Sequence, residues 1–169
     1  MKKAFLYFFV LLLFPILVIP VFAVVPTILP EPTPIAYVLP YPGILPTHPL
    51  YVFKNFRDTI IEFLITDALH KAEFHILQAD KKLNMGITLK EIKKDQDAMR
   101  AFTDSFRLRV LAVTFLEDYE KGSKTIPGHI KEKLLLSIAK HEEVLTHVGA
   151  NIKDIHALYL RAKQLGSSE

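Results

Sequence analysis

The sequence predicts an all-α protein: an antiparallel bundle of about five helices, preceded by a signal peptide and a proline-rich extended segment. Three observations predict it. From Leu50 onward apolar residues recur at three- and four-residue intervals, and no stretch alternates with period two. Ten of the 11 prolines lie before Leu50, so a single one, Pro127, interrupts the rest. Gly86, Gly122, Gly128, Gly149 and Gly166 fall between or after the apolar runs, where helices end.

The leader comes first. Residues 1–23 read MKKAFLYFFVLLLFPILVIPVFA. Lys2 and Lys3 form the charged start of a secretory signal, and Val21 and Ala23 place small residues ahead of a cleavage point after Ala23. The same stretch also fits a retained anchor. No charge appears from Ala4 to Pro30, which is long enough to cross about 30 Å of hydrocarbon. Pro15, Pro20 and Pro26 weaken that helix without forbidding it. Both readings predict an extracytoplasmic location, secreted or held at the cytoplasmic membrane.

Residues 24–49 carry eight prolines and predict an extended tether. At roughly 3.1 Å per residue, such a stretch reaches on the order of 75 Å. Its second half, from Tyr37, is too apolar for a bare linker and is expected to lie on the domain.

Residues 50–169 then predict the bundle. The first helix, from about Pro49 to Ile65, would bury Leu50, Phe53, Phe56, Ile60, Ile61 and Leu64. Its aromatic content also fits a membrane surface, but Lys54, Arg57, Asp58 and Glu62 balance in charge, which favours core packing. The second helix begins near Asp67 and ends near Gly86, with Leu69, Ala72, Ile76, Ala79 and Leu83 inward. The third spans about Leu89 to Lys121, roughly 50 Å, long enough to expect a bend or break. Ile92, Met99, Phe102, Phe106, Val110, Val113 and Leu116 form its face, and its polar first half, around Lys90–Arg100, would project. The fourth starts at Ile126–Pro127 and turns Ile130, Leu134, Ile138, Leu145 and Val148 inward. The fifth is capped by Asn151 and carries Ile152, Ile155, Tyr159 and Ala162.

Composition narrows the function. The 169 residues include no cysteine, which excludes disulfides, thiolate metal sites and thiol catalysis. The net charge of +3 falls to +1 once the leader's two lysines are removed, so no nucleic-acid partner is expected. The mean hydropathy of +0.25 is concentrated in the leader. No nucleophile elbow, phosphate loop or dinucleotide fingerprint occurs, and no enzyme activity or cofactor is expected.

The seven histidines carry the alternative reading, a metal-binding bundle. His141 shares the inward face of the fourth helix, and Glu143 and His147 are one turn apart on that helix. His141 and Glu143, however, diverge by about 200°, so a site would need His75 or His156 from elsewhere. The Glu-x-x-His pairs of di-iron bundles are missing. Ser137 lies one turn from His141, a spacing common by chance. No metal site is therefore expected, and His141 and His147 are the candidates should one exist.

One stretch also carries a resemblance. Pro46, Pro49, Leu50, Tyr51 and Lys54 precede Asp67, Lys71, Ala72, Glu73, Leu77, Ala79, Lys82 and Leu83. This pattern, over residues 39–83, resembles a bacterial family catalogued as domain of unknown function number five thousand six hundred and sixty-seven. His70 stands where that family usually has lysine, and Lys82 where it has arginine. The resemblance implies a helical protein of the bacterial cell envelope and assigns no activity. The expected function is thus an exported, non-enzymatic helical domain with a structural or protein-interaction role. Its partner would be an envelope protein, or the membrane itself through a retained leader.

Overall fold

The computed structural model describes residues 34–149 and 153–166. The leader, its Ala23 cleavage point, the first half of the tether, Asn151 and Ile152 lie outside them. The described residues form five helices and no strand. They are α1 (Tyr51–Leu64), α2 (Ala68–Glu91), α3 (Asp95–Lys121), α4 (Gly128–His147) and α5 (Lys153–Gln164).

The principal pair is α2 and α3. Asp67 caps α2 by accepting from the backbone N–H of His70, a partner the helix itself lacks there. The sequence-based stop at Gly86 is not observed, and α2 continues to Glu91. Gly86 serves packing instead. A Cβ on it would lie 2.3 Å from Cε1 of Phe102, so the missing side chain is what lets this ring sit against α2. The break falls at residues 92–94, where Lys93 adopts φ 59°. The long third helix predicted from Leu89 is therefore two pieces: Leu89–Glu91 ends α2, and Asp95 starts α3. Helices α2 and α3 run antiparallel: Gly86 meets Phe102, Ser105 donates to the carbonyl of Ala79, and His75 stacks on Phe115.

Helix α4 packs on α2, and α5 returns along α4 and touches α3. Their inward faces follow the predicted spacing. Ile130, Leu134, Ile138, Leu145, Ile155 and Ala162 are buried in the core with Ala72, Ile76, Leu83, Val113 and Leu116. Val148 and Tyr159 pack on its margin. Of the face predicted for α3, Phe102, Val113 and Leu116 are buried, while Ile92 is exposed at the helix break and Met99 is exposed because it lies about 100° around α3 from the buried line of Ala98, Ser105, Arg109 and Leu116.

Residues 35–45 bind the bundle as a strap. The N–H of Ile35 donates to Glu143, the Tyr37 hydroxyl to Asp80, and Asn84 to the carbonyl of Pro40. Leu39 and Leu45 pack on the core. Gly43, at φ +75°, turns the strap over the stem of Lys54, where a Cβ would stand 3.3 Å from Cε.

Candidate functional site

Two features stand apart from ordinary core packing. One is a polar cluster at the centre of the bundle, and the other is the orientation of α1.

The polar cluster centres on Arg109 of α3, which is fully buried. Its neighbours are Asp80 of α2, Ser137 and His141 of α4, and Tyr37 of the strap. The guanidinium Nη1 and Nη2 reach Asp80 Oδ1 at 3.3 and 3.2 Å, Nη1 donates to Ser137 Oγ at 2.7 Å, and Nε donates to His141 Nδ1 at 2.8 Å. Ser137 Oγ donates to the same Asp80 oxygen at 2.6 Å, and Tyr37 donates to the other at 2.6 Å. A buried charge is tolerable only when its partners replace the lost water, and here one carboxylate and one guanidinium share three further partners.

Burial sets the protonation states. Loss of solvent pulls the Arg109 guanidinium down to about 10, with Asp80 opposing the shift. His141 is pushed down to about 2, first by burial and then by the positive charge of Arg109. It is therefore neutral, and since Nδ1 accepts from Arg109, the proton sits on Nε2. That Nε2 is buried and has no hydrogen-bond partner. Burial, and then the bond to Asp80, hold the Tyr37 hydroxyl well above the usual phenol range, so it remains a donor.

The structure places the sequence candidates apart from one another. His141 is committed to Arg109, while His147 is exposed at the end of α4, its Nδ1 2.8 Å from the carbonyl of Glu143. His75 lies on α2 against Phe115, with Nε2 3.4 Å from Glu62, and burial lowers its pKa. His156 pairs with Glu142 at 3.4 Å. Among the described residues, no three His, Asp or Glu side chains gather around one point. Ser137 faces Asp80 and Arg109 rather than solvent, and its spacing to His141 reflects that shared contact with Arg109.

Sequence reasoning missed Arg109 and Asp80. The signal was present: at its position Arg109 falls within the apolar period of α3, beside Val113 and Leu116. A charge on an apolar stripe asks for a buried counter-charge, and Asp80 follows Ile76 and Ala79 in the same way on α2.

The second feature overturns an expectation. Leu50, Phe53, Phe56, Ile60, Ile61 and Leu64 were expected in the core, and all six are exposed. Of the 14 residues of α1, only Lys54 is buried. The helix instead turns its polar stripe inward. Tyr51 accepts from Lys82 at 2.6 Å, Lys54 pairs with Asp58 at 3.3 Å, and Glu62 approaches His75. These residues recur at intervals of three and four and define one face. At about 100° per residue, Val52, Phe53, Phe56, Ile60, Phe63 and Leu64 occupy an arc of about 120° on the opposite side. Phe53 is 71% exposed and Phe63 83%, values expected for surface lysines rather than phenylalanines. The reason lies in the partner: the side of α2 that meets α1 offers the Lys82 ammonium, which donates to the Tyr51 hydroxyl.

Compared with family models, curated proteins and solved structures, the chain matches none.

Proposed function

We propose that this protein is an exported, non-enzymatic helical domain of a bacterial cell envelope with a structural or interaction role. The observation that carries the reading is the outward apolar face of α1. Six large apolar side chains stand exposed on one side of one helix, and contiguous exposed apolar surface of this kind marks contact sites. The polar chemistry, by contrast, is enclosed: Arg109, Asp80, Ser137 and His141 are all buried.

The location rests on the leader. Lys2 and Lys3 ahead of a charge-free stretch to Pro30 support export, with cleavage after Ala23 or retention as an anchor. Tyr51 and Lys82 hold α1 to α2, a scaffold role.

Fractionation of cells producing the chain, with an intact-mass measurement, tests the proposal. Recovery from the extracytoplasmic or membrane fraction is expected, with the mass reporting whether Ala23 is the last residue removed. An intact chain dissolved in the cytoplasm would overturn it.

A further inference from the structure

The apolar face of α1 is a surface in search of an apolar medium, and two observations identify which one. The first is chain length. The charge-free stretch that ends at Pro30 can span a bilayer, and Ile35 is already fastened to Glu143 of α4. A span of about 20 residues from Ala4 ends near Ala23, and the 11 residues from there to Ile35 reach on the order of 40 Å even when fully extended. The strap thus takes up much of what the sequence presents as a long spacer, and a retained leader would limit how far the bundle can stand from the membrane.

The second is the make-up of the face. Val52, Phe53, Phe56, Ile60, Phe63 and Leu64 contain no charged or hydrogen-bonding group. Thr59 borders this arc on one side and Arg57 on the other. The charges of α1 cancel: Lys54 and Arg57 both contact Asp58, and Glu62 turns to His75. The face is a convex ridge rather than a groove, and it offers no polar handle that would specify one protein.

We propose that α1 lies in the plane of the membrane interface, its outward face inserted among the acyl chains and its polar stripe carrying the bundle above. Attachment of this kind draws on apolar area and needs no anionic lipid, because the helix has no net positive charge to offer. The inference deepens the envelope reading and rests on its retained-anchor form.

The chain contains no tryptophan, so a single indole reports one position. The full-length Phe56→Trp variant is placed in phosphatidylcholine vesicles with and without brominated acyl chains. Leu160→Trp, on the exposed side of α5, is the reference. Indole emission from Phe56→Trp is expected to shift to the blue and to be lost with brominated lipid, equally with and without phosphatidylserine. The reference should keep a water-like emission. Adding Phe53→Asn and Phe63→Asn to Phe56→Trp should restore the water-like emission at unchanged helix content.

Emission from Phe56→Trp that stays water-like in vesicles would overturn the proposal. So would emission that is shifted but insensitive to bromine, which marks a protein partner or a second copy, or equal quenching at both positions. A cytoplasmic location would instead defeat the envelope reading, cleavage after Ala23 would defeat only its retained-anchor form, and the bromine result is read independently of either.

Discussion

Acidification should destabilise this protein chiefly through one residue, and the size of the effect follows from its surroundings. His141 is neutral in the fold because burial and Arg109 hold its pKa at about 2. In the unfolded chain it returns to about 6.5. The folded pKa is thus depressed, so the unfolded state binds the extra proton. The stabilisation is complete above about pH 6.5 and falls away steadily as the pH drops from there toward about 2. Between pH 7 and pH 5 the linkage amounts to about 2 kcal/mol, a large share of a typical stability of about 5–15 kcal/mol. The perturbation that isolates it is His141→Asn. The asparagine amide oxygen can take the place of Nδ1 and accept from Arg109 Nε, but it does not titrate. The variant loses absolute stability to the space left by the ring. Its pH dependence is the informative quantity. Urea unfolding followed by far-ultraviolet circular dichroism at pH 7, 6 and 5 should show the variant's stability falling by about 2 kcal/mol less than the parent's over that range. His75, whose pKa is also lowered by burial, contributes to both proteins and cancels in the difference. Equal slopes in parent and variant would refute the argument.

Arg109→Leu leaves Asp80 buried without its cation and should cost about 3–5 kcal/mol in urea unfolding, with part of the loss recovered in the Arg109→Leu, Asp80→Leu double variant. Gly86→Ala forces a methyl group against the Phe102 ring and should cost about 1–3 kcal/mol, a loss that Phe102→Leu in the same chain reduces. Tyr37→Phe removes a hydrogen bond to a buried carboxylate and should cost about 1.5–3 kcal/mol, while limited proteolysis within residues 34–45 accelerates as the strap loosens. Phe53→Ser, on the outward face of α1, should change stability in water by less than about 0.5 kcal/mol, whereas Phe102→Ala, in the core, should cost about 3–5 kcal/mol.

The sequence alone determined the helices and most of the core. The spacing of Ala72, Ile76, Ala79 and Leu83, and of Ile130, Leu134 and Ile138, identifies buried faces, because α-helical periodicity is local and each stripe must find cover. Asp67 marks the start of α2 by its own side-chain chemistry. Tertiary structure decided what local pattern cannot express. Gly86 resembles a helix stop until Phe102, 16 residues on, occupies the space it leaves. Arg109 resembles a surface charge until Asp80, Ser137 and His141 converge from two other helices to replace its water. The amphipathic pattern of α1 was legible, but not the direction it faces. A moment along one helix says that two sides differ. Which side meets the protein depends on what the neighbouring helix offers, and α2 presents Lys82, which bonds the Tyr51 hydroxyl, draws in the polar side and leaves the phenylalanines outside.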